Sequence, residues 1–87
     1  MFDERLSYLR KTKNLSQHEL GEIFHISQRS ISRLETGESL PNSQILNQVA
    51  DFFNVSTDFL LGRTDIENIY EFLPKISYVI KRHHKKY

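Results

Sequence analysis

Apolar side chains recur along the first 62 residues at the three- and four-residue spacings of amphipathic helices. Phe2, Leu6 and Leu9 form the first such stripe, with charged residues between them, and predict a helix over residues 2–12. Asn14 then supplies a residue that tolerates the left-handed conformation in which many helices end. No stretch alternates apolar and polar residues as a half-buried strand does, so the pattern predicts an all-α fold.

A short second helix is predicted from the segment LSQHELGEIF. Ser16 precedes Glu19 by three residues, which is the capping-box pattern of a helix start. The apolar stripe of this helix consists of Leu20, Ile23 and Phe24. His25 lies just beyond its end, so the helix spans little more than two turns.

The third predicted helix lies in the segment ISQRSISRLETG. Ser27 is a favourable N-cap and Gly37 a favourable C-terminal stop. Few apolar residues are available to anchor this helix, namely Ile26, Ile31 and Leu34. The opposite face is polar and consists of Gln28, Arg29, Ser32 and Arg33.

A loop punctuated by Gly37 and Pro41 leads to a fourth helix, which either Asn42 or Ser43 caps. Its wide apolar face predicts a central position in the fold, and Asn54 is suited to end it. A short fifth helix follows, with Ser56 as N-cap and an end before Gly62. The aromatic residues expected in the core are Tyr8, Phe24, Phe52, Phe53 and Phe59.

The chain after Gly62 has a separate apolar stripe, interrupted by Pro74, which permits one kinked helix or two short ones. This stripe comprises Ile66, Ile69, Tyr70, Leu73, Ile76 and Ile80. It either covers the base of the five-helix core or forms an interface, and dimerisation is the preferred interpretation because the five helices already supply a core. The predicted organisation is a five-helix domain over residues 1–63, a helical extension over residues 64–80 and a basic tail over residues 81–87.

Charge limits the kinds of partner that bulk electrostatics can attract. The 87 residues carry a net charge of +1, but residues 81–87 hold four basic residues and no acidic one. Residues 1–80 therefore carry eight basic and eleven acidic residues, and residues 1–62 carry six and eight. Binding to nucleic acid must then depend on local placement of cations. The tail is interpreted as a solvated end, with extra phosphate contact as the alternative.

Composition and motifs argue against several other kinds of site and against a membrane span. The chain has no cysteine, which excludes disulfides and thiolate metal sites. The spacing of the histidines indicates no metal site, and no nucleophile–base pair or glycine-rich phosphate loop predicts an enzyme or a cofactor. No segment approaches the roughly 18 apolar residues of a membrane span, and the first residues do not resemble a signal peptide. We expect a cytoplasmic protein.

Two short helices joined by about four residues, with a polar outer face on the second, describe a helix-turn-helix. Glutamine pairs with adenine and arginine with guanine in the major groove of DNA, which gives Gln28, Arg29 and Arg33 the chemistry of base reading. Serine at positions 30 and 32 is small and lets the backbone approach. Helix N-termini also attract phosphates, and such ends are marked by Ser16 and Gln17, by Ser27, and by Asn42 and Ser43.

Residues 5–62 resemble the phage-repressor and Cro type of helix-turn-helix domain, the Xre family, through LSQHEL, ISQRSISRLETG and LNQVADFFNVSTDFLLG in that order. The resemblance implies five helices, the third of which lies in the major groove of double-stranded DNA. It implies base contacts by Gln28, Arg29, Ser32 and Arg33. Contacts to the DNA backbone, or support for base reading, are implied for Ser16, Gln17, Ser27, Ser39, Asn42 and Ser43. An ion pair that ties helix 1 to the recognition helix is implied between Arg10 and Glu35.

Two positions depart from the family pattern. Gly21 stands where the family usually has alanine, and His25 stands where glycine usually adopts a positive φ. Glycine within a helix is destabilising by about 0.5–1 kcal/mol, and histidine at a positive φ is strained. Neither departure removes a base-reading group.

The resulting expectation is a bacterial or phage-encoded, nucleoid-associated regulator, more often a repressor than an activator. It binds a pseudo-palindromic operator as a homodimer, and an antirepressor or other protein partner can control it. The alternative is an antitoxin or adaptor that binds another protein, with DNA binding secondary. In that case the stripe that begins at Ile66 binds a different chain.

Overall fold

Five α-helices occupy most of residues 1–67, the part of the chain that the computed structural model describes. They are α1 (Phe2–Thr12), α2 (Gln17–Phe24), α3 (Gln28–Thr36), α4 (Ser43–Phe53) and α5 (Thr57–Leu60). No strand occurs in residues 1–67. The predicted all-α fold is confirmed, and the helix boundaries agree with the expected ones to within about two residues.

Side chains of the N-cap residues begin four of the five helices. Ser16 accepts a hydrogen bond from the backbone N–H of Glu19, whose carboxylate accepts one from the N–H of Ser16, which completes the capping box. The other three caps are Ser27, Asn42 and Ser56. Asn42 rather than Ser43 therefore caps α4. A cap of this kind stabilises a helix by about 1 kcal/mol.

A residue with a positive φ lies at or just after the end of each of the first four helices. Asn14, His25 and Asn54 all adopt the left-handed conformation, with φ of 55°, 60° and 54°. Gly37 ends α3 at a φ of 83°. These conformations let the backbone N–H groups beyond each helix bond back to its last carbonyl groups, which allows the short connections between helices.

Each helix contributes one fully enclosed apolar side chain to the core, and these five are Leu6, Leu20, Ile31, Val49 and Leu60. Phe24, Phe53 and Phe59 are also buried, as predicted. Full burial of such a side chain contributes roughly 1.5–3 kcal/mol. The candidate recognition helix, α3, contributes only Ile31 and Leu34 to this core. Ile26, which precedes α3 in the chain, is partly buried against it.

Three residues predicted to be in the core are more exposed than expected. Tyr8 is half exposed, because its hydroxyl group donates a hydrogen bond to the Glu67 carboxylate at the surface. Phe52 is just over one-third exposed and packs edge-on against Phe24 at the rim of the core. Ile23 of the α2 stripe is exposed to a similar extent. The helical period identifies the side of a helix but not the width of its buried stripe.

The proposed C-terminal interface lies almost wholly outside the described part of the chain. Ile66 is partly buried, whereas Ile69, Tyr70, Leu73, Ile76, Ile80 and the basic tail at 81–87 fall beyond residue 67. Within residues 1–67, no helix has the length and apolar character needed to cross a membrane.

Candidate nucleic-acid interface

A tight turn of three residues, from His25 to Ser27, joins α2 to α3. The N–H of Ile26 donates a hydrogen bond of 2.9 Å to the Gly21 carbonyl, which closes the end of α2. The Ser27 hydroxyl oxygen then accepts from the N–H of Ser30 at 3.0 Å and begins α3. Both sides of the turn are thus hydrogen-bonded, and the direction of α3 relative to α2 is fixed.

The absence of a side chain at Gly21 permits this turn. A Cβ atom placed at Gly21 would lie 2.6 Å from the Ile26 carbonyl oxygen, closer than real Cβ atoms approach backbone oxygens. The two departures from the family pattern therefore belong to one structural feature, because His25 makes the turn and Gly21 gives it room.

The polar face of α3 carries the four residues predicted to read bases. Gln28 and Arg29 are exposed in the first turn, and Ser32 and Arg33 follow one turn later on the same side. Ile31 and Leu34 point the opposite way into the core. The structure thus brings the four candidate side chains to one outward surface, as a helix that enters the major groove requires.

A buried ion pair attaches the far end of α3 to α1. Arg10 Nε lies 2.6 Å from Glu35 Oε2 and Arg10 Nη2 lies 3.0 Å from Glu35 Oε1, a bidentate arrangement. The two side chains are only 13% and 4% exposed. The hydrogen bonds to Glu35 raise the pKa of Arg10 above its ordinary value, against the opposing effect of burial. Arg10 also donates to the Leu15 carbonyl at 2.7 Å.

Gln17 joins the same network from the first turn of α2. Its side-chain nitrogen donates to Glu35 Oε1 at 3.2 Å, so the Glu35 carboxylate accepts three hydrogen bonds in all. A carboxylate only accepts, and the amide nitrogen of Gln17 must therefore face it. The network positions Gln17 beside α3, where the family resemblance expects a residue that supports base reading.

Arg33 also contacts Glu38, in the loop after α3, at 3.8 Å. Both side chains are largely exposed, so this pair contributes little stability. No pattern in the sequence indicates this pair, because Glu38 lies five residues after Arg33 and beyond the end of the helix. A carboxylate at this distance lowers the positive potential at the proposed reading face.

The proposed contacts to the DNA backbone lie mainly at helix starts. Ser16, Ser27 and Asn42 use their side-chain oxygens as caps, which leaves the Ser16 O–H and the Asn42 NH₂ able to donate to phosphate. Ser27 Oγ also lies 2.9 Å from Ser30 Oγ, so one of these two hydroxyl groups donates to the other. Ser43 is exposed in the first turn of α4. Ser39 donates its backbone N–H to the Arg33 carbonyl at 3.2 Å.

A shallow cavity of about 250 Å³ lies between α3 and the following loop. Its polar lining comes from Ser30, Arg33, Ser39 and Asn42, so the loop residues lie beside the outer end of α3. Among residues 1–67, no group of three or more histidine, aspartate and glutamate side chains could hold a metal ion.

Comparisons with known proteins agree with this geometry. Residues 6–60 match the protein family described as Helix-turn-helix. The HTH-type transcriptional activator BcrR of Enterococcus faecalis is 37% identical over 70 residues, which cover 80% of this chain and 34% of BcrR. Antitoxin PezA of Streptococcus pneumoniae serotype 4 is 34% identical over 85 residues, which cover 94% of this chain and 54% of PezA. The chain thus spans about one-third to one-half of these relatives.

A solved structure shows the same fold. The P22 c2 repressor, crystallised in complex with a synthetic operator, superposes with a TM-score of 0.65 at 30% sequence identity. The match covers 69% of this chain and 91% of the repressor chain. The family resemblance expected from the sequence is confirmed.

Proposed function

Because the chain belongs to the helix-turn-helix family of phage-repressor type, we propose that it is a sequence-specific DNA-binding transcriptional regulator. The observation that carries this proposal is the construction of α3. Its inner side is held by Ile31, Leu34 and the buried Glu35 carboxylate, while its outer side carries exposed amide and guanidinium groups. A helix held in this way presents its polar face as a rigid surface.

Gln28, Arg29, Ser32 and Arg33 are the proposed base-reading residues. The glutamine amide matches the N6 and N7 edge of adenine, and each arginine matches the O6 and N7 edge of guanine. Loss of one such bidentate contact reduces binding by roughly 1–3 kcal/mol and relaxes selectivity at one base pair. We expect this result for Arg33→Ala, measured against operators changed one base pair at a time.

Contacts to phosphate are assigned to hydroxyl and amide groups more than to cations. The proposed residues are Ser16, Gln17, Ser27, Ser39, Asn42 and Ser43. Residues 1–62 carry a net charge of −2, so non-specific binding is weak and affinity depends on correct base contacts. The dependence of affinity on salt should therefore be shallow for a repressor of this size.

A homodimer is the proposed active form, with the stripe from Ile66 to Ile80 as its interface. A twofold dimer places two α3 helices about 34 Å apart, one turn of DNA, which suits a pseudo-palindromic operator. Repression by occupancy is the proposed mechanism, because it requires only a bound dimer. Action on a bacterial or phage genome places the protein in the cytoplasm, under control by its concentration or by an antirepressor.

Selection of bound sites from random duplex DNA tests the proposal, with size measurement of the protein alone. The expected result is an enriched inverted repeat and a dimeric mass. Arg29→Ala/Arg33→Ala should abolish enrichment, whereas the charge-matched control Lys11→Ala/Arg63→Ala, in α1 and after α5, should retain it. Equal losses in the two double variants would show that charge alone, and not base reading, governs binding.

The second candidate function is that of an antitoxin or adaptor. The similarity to antitoxin PezA extends over 94% of this chain and therefore favours it specifically. In this case the Ile66–Ile80 stripe binds a different protein, and DNA binding is secondary. A monomeric mass together with no enriched palindrome would support this alternative over a dimeric regulator.

A further inference from the structure

The chain that leaves α5 is bound back onto the helical domain, and Arg5 of α1 is the main contact. The Arg5 side chain is only 15% exposed. Its Nη1 donates to the Phe59 carbonyl at 2.8 Å and to the Thr64 carbonyl at 2.5 Å. Its Nη2 donates to Asp65 Oδ1 at 2.7 Å. One guanidinium group thus joins α1, the end of α5 and the segment at 64–65.

Two further hydrogen bonds hold the same segment at Glu67. The Tyr8 hydroxyl group donates to the Glu67 carboxylate at 2.8 Å, and this bond raises the pKa of Tyr8 above its ordinary value. The backbone N–H of Ser56 donates to the Glu67 carbonyl at 3.0 Å. The segment is therefore attached at both ends, over a stretch of only four residues.

The geometry at Arg5 is specific to arginine. The guanidinium carbon lies over the Phe59 ring, 4.2 Å from its centre, while its N–H groups bond to two carbonyls and a carboxylate. A lysine ammonium does not supply this arrangement of donors. We call this set of contacts the Arg5 clasp, and its members are Arg5, Tyr8, Ser56, Phe59 and residues 64–67.

We propose that the Arg5 clasp determines which spacing of DNA half-sites the protein accepts, because it fixes the direction in which the C-terminal extension leaves the DNA-binding domain. The inference rests on the proposed function as a dimer that binds DNA. If the segment that leaves each DNA-binding domain is rigidly attached, the dimer holds its two α3 helices at one separation and one relative rotation. If that segment is a free tether, the separation and rotation of the two helices vary.

The size of the effect follows from the length of the segment. Released from the clasp, residues 64–67 would behave as a four-residue tether with a root-mean-square span of about 10–12 Å. Each base pair adds about 3.4 Å along DNA and rotates the next half-site by about 35°. A free tether on each side therefore absorbs a change of about three base pairs. With the clasp intact, the dimer tolerates a much smaller change in half-site spacing.

The experiment uses the full chain and duplexes that contain two copies of the selected half-site, with the spacing varied one base pair at a time across a helical turn. Affinity of the native protein should fall at least about tenfold when the spacing changes by two base pairs. Arg5→Met, which keeps an apolar contact with Phe59, should reduce that fall to less than about threefold. Its preference among half-site sequences should be unchanged.

A second variant and a control distinguish loss of the clasp from misfolding of the domain. Tyr8→Phe/Asp65→Ala removes two clasp contacts at exposed positions and should relax the spacing preference to an intermediate degree. Arg63→Ala lies in the same segment but outside the clasp, and should keep the native spacing profile. Circular dichroism at 222 nm verifies the helical content of each variant.

Each result separates the inference from the proposed function. Identical spacing profiles for the native protein and both clasp variants overturn the clasp proposal while DNA binding stands. A native protein that selects a half-site but gains nothing from a second copy overturns both the clasp and the dimer. A native protein that selects no sequence overturns the proposed function itself.

Discussion

The buried ion pair between Arg10 and Glu35 provides the sharpest test of how α3 is held. Glu35→Ala removes a carboxylate that is 4% exposed and accepts three hydrogen bonds. Arg10, at 13% exposure, then remains largely buried with its charge unpaired. Removal of one partner of a buried pair is destabilising by about 3–5 kcal/mol. The total stability of a small domain is about 5–15 kcal/mol, so a large part of it is at risk.

Urea denaturation followed by circular dichroism at 222 nm measures the loss. Glu38→Ala is the matched control, because it removes the exposed carboxylate that lies 3.8 Å from Arg33 and should change the unfolding free energy by less than about 1 kcal/mol. Arg10→Met/Glu35→Leu should recover most of the stability lost in Glu35→Ala, since no buried charge remains. The single variants Arg10→Met and Glu35→Leu, measured beside the double variant, complete the cycle that gives the coupling energy of the pair.

The double variant also separates stability from DNA recognition. It lacks the carboxylate that orients Gln17, so its affinity for the selected operator should stay below that of the native protein even where its stability recovers. A loss of less than about 1 kcal/mol in Glu35→Ala would refute the reasoning, because it would show that solvent screens the pair as it screens a surface contact.

Three further substitutions test the turn and the capping of α2. Gly21→Ala should lower the unfolding free energy, measured by urea denaturation, by about 1 kcal/mol. Overpacking against the Ile26 carbonyl outweighs the gain in helix propensity, which is itself about 1 kcal/mol. A stabilised variant would show that the turn has room for a methyl group. His25→Gly should raise the thermal midpoint by several degrees, since glycine relieves the strain of a φ of 60°, and no increase would mean that this φ is unstrained. The backbone N–H of Ser16 holds the pKa of Glu19 below 4.5, so the stabilisation by its carboxylate is present above pH 4.5 and is lost as pH falls through the lower folded value. Glu19→Gln keeps the hydrogen bond without titrating, and its stability relative to the native protein should rise on acidification in a pH series of denaturation curves; parallel curves would contradict this.

Local pattern in the sequence is sufficient to predict the helices. Helical spacing, serine and asparagine caps, and residues with a left-handed preference each act over about four residues, and together they locate α1 to α5. The Arg10–Glu35 contact spans 25 residues, and only the family resemblance indicated it. Its geometry, and the participation of Gln17, required the structure.

The contacts that the sequence could not reveal are long-range and polar. Arg5 meets Asp65 across 60 positions, and no periodicity connects two such residues. Tyr8 is one of the aromatic residues expected in the core, yet its hydroxyl group bonds to Glu67 at the surface. A hydrophobic pattern specifies which side of a helix is buried, but specific polar partners depend on how the helices come together in three dimensions.

The recognition helix shows why these polar contacts are needed. The proposed reading of bases requires a polar outer face, so only Ile31 and Leu34 remain to bury the helix. Two such side chains contribute roughly 3–6 kcal/mol before the entropy of ordering the helix is deducted. The buried pair with Arg10 and the turn that Gly21 permits hold the two ends of α3 without any use of its reading face. Substitutions at these supports should therefore weaken binding to all operators alike, whereas substitutions at Arg29 or Arg33 should change which operator is preferred.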